Sequence, residues 1–493
     1  MFNKYKKKFI AYLFLFIPYL FFCYFLINDR VDWGDDYAGY LLQAKYYSSG
    51  DFTYLNKLIF ISQNSSEKFF PPGYPPMYSF FLSFFYKINL ESFLYFKFAN
   101  IIFYLFFLIS IYLFCKQQFD KINAFWITLF FSVNPIVIKI HINLILSDIV
   151  FLFFSSSAIF LMVNFFQNKI IKNHSVHILL LSLFIISSIL TKITGLILVI
   201  TFLLCLFFYK KKNSLFINSI SLSIIIFFII IILFNKTFVF YLHSLFFKIF
   251  YEKNYLQDLF DSFYYHFFVL ELFFGGGRYA KLIFDFSLIF VLLGIIKNYK
   301  LLLPSIIFFF LYFLIVVIQT AQQGERYLLP ILPFYILFFY LGLCNFDNFL
   351  KKNFFKMNYF FILILFFLFI KTSIFSYRNF YKITDYEISN LSPQTQSSQD
   401  MFQFIIQNTA SEEIVVFRKP RAFVLFTNRN SFMGDDINFL DNLEYNYIVL
   451  DKNNIDYQVK YESLSQSIFI HHLVFENDHF YILKKIKNNL YIY

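Results

Sequence analysis

The chain has only four cysteines in 493 residues. Cys23, Cys115, Cys205 and Cys344 all fall in apolar stretches, no two at metal-ligand spacing and none in the polar C-terminal part. Neither a disulfide framework nor a zinc site is therefore indicated. Charge is scarce as well, at 15% of residues against 59% hydrophobic, which takes the chain out of the soluble range and into the polytopic membrane class. Asp and Glu are nearly missing from the centres of the apolar stretches, and no internal repeat is detectable. Both absences count against a transporter, which places ionisable groups near mid-bilayer and often repeats its halves. The C-terminal part holds no glycine loop of the nucleotide-binding kind. A small-residue cleavage site is missing before Asn28, so residues 9–27, behind the basic NKYKKK, read as a retained first helix with a cytoplasmic N-terminus.

What remains is apolar length. Eleven segments, uncertain by about two, approach the ~20 residues that cross a ~30 Å hydrocarbon core: 9–27, 92–114, 122–140, 149–166, 176–190, 193–208, 215–234, 282–296, 301–318, 327–343 and 359–374. The 82 Phe are read as compositional drift and lipid-facing filler. The formal charge of +12 sits in short clusters between spans, which the positive-inside rule explains without nucleic acid as a partner. With the N-terminus inside, the loops 116–121, 167–174, 209–213, 297–300 and 349–358 all fall inside, and all are basic. The first loop, the turns at Asp148, Lys192 and Glu325, and everything after residue 376 then face outward. The expected fold is a polytopic α-helical membrane protein of about 11 spans, with domain 1–375 carrying the first outer loop 29–76 and a small α/β extracytoplasmic domain at 376–493. In the latter, 399–407 reads as a helix and 413–417, 447–451 and 479–485 as strands; His471 and His472 read as structural.

Chemistry-bearing residues concentrate on the outer side. Asp35 and Asp36 open a hydrophilic island just past the first span, where a carboxylate can act as a base, bind a cation or grip a head group; equally, they can serve as N-terminal acids of a helix over 37–48. That helix reads as amphipathic and surface-lying, and PPGYPP at 71–76 as a stiff strut into a short helix 77–88. Asp148 is placed to cap a helix or to bind substrate. Lys192 is placed to snorkel or to bind phosphate. Arg278 follows the glycine triplet 275–277, whose backbone can approach an anion, and Glu325 and Arg326 lie in a tight turn.

The loop with GDD at 34–36, Tyr40-Leu41, Ala44, GDF at 50–52 and PPGYP at 71–75 resembles the opening of the glycosyltransferase C superfamily. The branch it is similar to is related to protein O-mannosyltransferases and lipid A aminoarabinose transferases. LSD at 146–148, TKITG at 191–195, ERYLLPILP at 325–333 and RKPRAFVLFTNR at 418–429 resemble motifs of that branch in the same order. The resemblance implies inverting transfer of a sugar from a polyprenyl-phosphate donor to an envelope glycan, lipid or protein, on the outer face of a bacterial cytoplasmic membrane. It implies Asp35 as the catalytic base and Asp36, Tyr40, Asp148, Lys192, Arg278, Glu325, Arg326 and Tyr327 as substrate-binding residues. No resident cofactor is implied; a divalent metal serves some relatives and not others. Some members carry Lys directly before the proline pair, where this chain has Phe70, with Lys68 the nearest base. A transporter or flippase of lipid-linked or small polar substrates is the alternative reading, and a non-catalytic envelope assembly subunit a third.

Overall fold

A computed structural model of the chain describes residues 17–66, 71–119, 121–167, 174–209, 255–274, 278–320, 322, 324–353, 392–453, 458–467 and 469–486, together with Ile370, Ile374 and Tyr377. The expected span 215–234, the expected span 359–374 apart from Ile370 and Ile374, Lys68 and the glycine triplet 275–277 lie outside the described residues. The chain divides into two compact units: one drawn from Met1–Ile27, Lys97–Phe238 and Leu242–Lys382, the other from Asn28–Phe96 and Ile383–Tyr493.

The first unit is helical. Three of its described helices are long and apolar enough to cross a membrane: Phe93–Gln118, Asp148–Phe166 and Ala280–Ile318. The 19 residues of Asp148–Phe166 rise ~28 Å at 1.5 Å each, close to the hydrocarbon thickness. One expectation on span boundaries changes. Residues 122–140, read as one span, form two helices, Lys121–Ser132 and Pro135–Asn143. Pro135 cannot continue a helix, and Asn134 caps the new one by accepting from Val137 N at 3.2 Å while donating to Phe273 O at 2.8 Å. The segments read as 282–296 and 301–318 are two helices that meet at a kink within Arg278–Ile318, with non-helical backbone at Asn298 and Leu302 and Pro304 just beyond. Proline removes an amide donor and displaces the preceding turn. The carbonyls exposed there find side chains instead: Tyr209 Oη donates to Lys300 O at 2.8 Å and Gln167 Nε2 to Leu301 O at 2.6 Å. Where this run packs on the helix Leu332–Asn353, Gly294 and Gly342 let the backbones meet. A Cβ would lie 2.0 Å from Phe338 O at the first and 1.8 Å from Phe290 O at the second, the small-residue packing that membrane helices favour.

The second unit joins the first outer loop to the C-terminal region, and its elements are numbered here in chain order. Helix α1 is Asp35–Ser49. It ends at Gly50, whose φ of 74° is the left-handed conformation glycine adopts without strain. Asp51 then accepts from Thr53 N at 2.9 Å to cap α2, Phe52–Asn64. The apolar spacing of Leu58 and Ile61 thus folds as a helix inside what reads in sequence as a polar interval. Helix α3, Pro76–Lys87, starts on the last proline of the strut. After α4, Gln396–Asn408, come β1, Ile414–Val416, then α5, Pro420–Thr427, and β2, Asn430–Phe432. They are followed by α6, Ile437–Asp441, then β3, Tyr447–Asp451, β4, Ile470–Glu476, and β5, Phe480–Ile486.

The sheet order is β2-β1-β3-β5-β4, parallel among β2, β1 and β3 and antiparallel across β3-β5 and β5-β4. Its strand β3 is buried at all five positions, as a central strand covered on both faces must be. Val416, Phe432, Leu440, Ile448, Leu450 and Leu483 form the core, while Leu42, Leu58, Ile61 and Val424 bring α1, α2 and α5 together. Residues Tyr37–Ala44 of α1 are buried without interruption, so the helix does not present the single apolar face expected of a surface-lying one. Trp33 is enclosed by the rings of Phe402, Phe417 and Phe480. Beside it a buried ion pair, Arg418 Nη2 to Asp451 Oδ2 at 2.8 Å, ties β3 to the chain leaving β1. His471, in β4, shares a 2.9 Å hydrogen bond with Tyr445 Oη, in keeping with a structural part.

Candidate active site

Asp35 and Asp36 are the first two residues of α1, so both carboxylates receive the partial positive charge of its N-terminus. What the sequence does not reveal is a second helix end aimed at the same group. Helix α5 begins at Pro420 with no side-chain cap of its own, and its Ala422 N–H donates to Asp35 Oδ1 at 3.0 Å. Asp35 thus caps α5 from 387 residues away in sequence. Its other oxygen, Oδ2, is buried with no hydrogen-bond partner.

Arg421, the second residue of α5, lies between the two carboxylates. Its Nε is 3.9 Å from Asp35 Oδ2 and its Nη1 3.7 Å from Asp36 Oδ1. The guanidinium also donates to Tyr74 Oη and, through Nη2, to Pro71 O at 3.3 Å, with its carbon 5.0 Å from the centre of the Tyr74 ring. Tyr74 Oη donates in turn to Asp36 Oδ1 at 2.8 Å. The strut is fixed by Gln43, which donates to Tyr74 O at 3.0 Å and accepts from Tyr74 N at 2.9 Å. Tyr40 lies against the Tyr74 ring at 4.2 Å between centres. Gly39 leaves the room this needs, since a Cβ there would sit 2.4 Å from Tyr74 Cε2 and 3.1 Å from Arg421 Cδ.

The side chain of Asp35 is 9% exposed and that of Asp36 40%. Burial pushes the Asp35 carboxyl above its ordinary value, against the opposing pull of Arg421, the Ala422 amide and Lys419, with Asp36 adding a smaller upward push. The Asp35 carboxyl therefore takes up a proton more readily than an ordinary carboxylate.

The first unit holds a second constellation. Asp148 is the first residue of its helix, and its Oδ1 accepts from Lys192 Nζ at 2.6 Å. Its carboxylate is therefore engaged by an ammonium as well as by a helix end. Lys192 lies 5.4 Å from the centre of the Tyr327 ring, and the Arg326 guanidinium sits over the same ring at 5.4 Å. Glu325, Arg326 and Tyr327 share the 3₁₀ turn Gly324–Leu328. Arg278 is exposed at the start of the run Arg278–Ile318. No ion pair among the described residues joins Arg278 or Glu325 to this group. No group of three or more His, Cys, Asp or Glu with metal-binding geometry occurs among the described residues.

Arg421 and Tyr74 are the two site residues that sequence reasoning did not nominate, although PPGYP and RKPRAFVLFTNR contain them.

Against this geometry, residues 73–235 match the family model for dolichyl-phosphate-mannose-protein mannosyltransferase. No curated protein matches the chain in sequence. The fold is similar to that of ArnT from Cupriavidus metallidurans bound to undecaprenyl phosphate, with a TM-score of 0.59 at 11% identity over 96% of this chain and 97% of that one. It is also similar to the Archaeoglobus fulgidus oligosaccharyltransferase tethered to an acceptor peptide, at 0.59 and 14% identity over 89% and 69%. A third likeness is to the archaeal oligosaccharyltransferase AglB from the same organism in complex with an inhibitory peptide and a dolichol-phosphate, at 0.57 and 12% identity over 99% and 75%. The sequence likeness thus covers residues 73–235, and the likeness to the solved structures is one of fold.

Proposed function

We propose that the chain is an inverting membrane glycosyltransferase that takes a sugar from a polyprenyl-phosphate donor, with Asp35 as general base. The observation that carries this reading is the Asp35 carboxylate. One oxygen is held by the α5 amide, the other is buried without a hydrogen-bond partner, and the whole group is desolvated enough to hold a proton more readily than an ordinary carboxylate. The family match and the lipid-phosphate complexes of two proteins with similar folds support the donor class.

In the reaction an acceptor hydroxyl oxygen bonds to the anomeric carbon, the bond from that carbon to the phosphate oxygen breaks, and the hydroxyl proton passes to Asp35. A positioned base of this kind contributes ~10² to 10⁴-fold. The leaving lipid phosphate departs as an anion and needs cations rather than an acid, a part for which Lys192, Arg326 and Arg278 are the candidates. One base therefore suffices in place of a glycosidase carboxylate pair. We assign no metal to the site. Arg421, near both carboxylates, already supplies the positive charge that a divalent ion would bring.

The acceptor is an envelope glycan, lipid or protein, and the site faces outward from a bacterial cytoplasmic membrane, an orientation supported by the five basic loops assigned inside. Asp35→Asn is expected to leave expression and membrane insertion intact while transfer collapses, measured by mass spectrometry of envelope lipids, glycans and glycoproteins with and without the variant. Normal transfer by Asp35→Asn would remove Asp35 from the reaction.

A further inference from the structure

Resting on that reading, we infer that Arg421, in the C-terminal region, is a positioning residue of the reaction: it holds both carboxylates of the first loop in place together with the proline strut beside them. The C-terminal region would then take part in transfer itself, beyond any part in choosing an acceptor.

The geometry argues for this over a purely structural anchor. A structural anchor would be expected to form one close, fully satisfied pair, as Arg418 does with Asp451 at 2.8 Å. Arg421 instead spreads over four groups from two segments, Asp35 and Asp36 on α1 and Tyr74 and Pro71 on the strut. Its side chain is 3% exposed, and the planar fork of a guanidinium suits such multiple contacts, where a lysine ammonium does not. Neither carboxylate is closer than 3.7 Å to it. The arginine therefore orients Asp35 and favours its ionised form without forming the short pair that would quench it as a base.

The charged and titratable neighbours of Asp35 are Asp36 on its own helix and Arg421 and Lys419 from the start of α5. The Tyr37 hydroxyl lies close enough to feel both Asp32 and Asp35. Removing the Arg421 charge leaves Asp35 buried beside Asp36 with one fewer cation, so its proton is held to higher pH. Removing the Asp36 charge has the opposite sign.

The test reads Asp35 directly. Purified full-length protein in detergent is treated with a hydrophobic carbodiimide, which labels protonated buried carboxyls, across a pH series, and the label on Asp35 is quantified by peptide mass spectrometry. In Arg421→Gln the labelling midpoint is expected to rise by about one pH unit or more, in Arg421→Lys, which keeps the charge but not the fork, to rise by less, and in Asp36→Asn to fall. Transfer is expected to drop at least tenfold in Arg421→Gln, with kcat affected more than the KM for a polyprenyl-phosphate mannose probe. A midpoint that does not move in Arg421→Gln overturns the proposal. Should that variant fail to accumulate, a midpoint that fails to fall in Asp36→Asn does the same. Because labelling needs no turnover, a shifted midpoint with an active Asp35→Asn would sink only the assignment of Asp35 as base. An unshifted midpoint with a dead Asp35→Asn would sink only the assignment of Arg421.

Discussion

Two carboxylates open helices in this protein, and they are held in opposite ways. Asp148, in the helical unit, is 4% exposed and pairs with Lys192 at 2.6 Å. Asp35, in the unit built from the first loop and the C-terminal region, is 9% exposed and has its nearest cation 3.9 Å away. The Asp148–Lys192 bond is short and charge-assisted, and it occupies that carboxylate. At Asp35 the arginine stands farther off, and burial raises the carboxyl above its ordinary value. Position at a helix N-terminus is common to both residues, so the difference lies in what faces them.

The comparison can be broken most directly by substituting each acid. Asp35→Asn is expected to lower transfer by ~10² to 10⁴-fold with no loss of thermal stability. The sign follows from the raised pKa. Whatever stability the carboxyl contributes is complete below its ordinary value and is lost as pH rises through the higher folded value, so the ionised group is a net cost near neutrality. A large fall in melting temperature in that variant would mean that Asp35 is chiefly a cap for α5.

The pH profile sharpens the same point. If ionised Asp35 is the base, transfer should fall about tenfold per pH unit below its raised pKa, one proton at a time. A flat acid limb down to ordinary carboxylate values would contradict the burial argument.

Asp148→Asn is expected to behave in the opposite sense to Asp35→Asn. It leaves Lys192 without its 2.6 Å partner and should cost about 3 kcal/mol, near the low end for breaking a buried pair because Lys192 is 19% exposed. Thermal unfolding in detergent checks this, and an unchanged melting temperature would show the pair to be dispensable.

The smallest effect is expected from Gly39→Ala, whose new methyl meets the Tyr74 ring. Displacing that ring should cost about 1–3 kcal/mol and loosen the contact of Tyr74 with Arg421, giving a modest loss of transfer alongside a lowered melting temperature.

Much of the C-terminal sheet is legible from composition. Residues 447–451 read as a strand because YIVLD is a short buried run of β-favouring residues, and β3 has those bounds. Helix α4 and strands β1 and β5 were expected within a few residues of where they lie, since their apolar spacing is regular. Helix α5 was not anticipated: eight residues between a proline and an asparagine are too few to display a helical period. The break at Pro135 was hidden because apolar residues continue on both sides of it. The division between 282–296 and 301–318 was legible because a basic cluster separates two apolar segments there, and Tyr209 and Gln167 satisfy the carbonyls freed at the kink.

By itself the sequence determined that this is an apolar, helical chain with acids at the head of its first loop, because hydropathy and charge clustering are local properties that survive without coordinates. It also carried the order of motifs that resembles the glycosyltransferase C superfamily. Only the tertiary structure decided which acid is paired closely with a cation and which is not. That depends on Arg421 and the Ala422 amide reaching Asp35 across nearly the whole chain, and on Lys192 reaching Asp148. Electrostatic tuning acts over a few ångströms of space, and distance along the chain carries no trace of it.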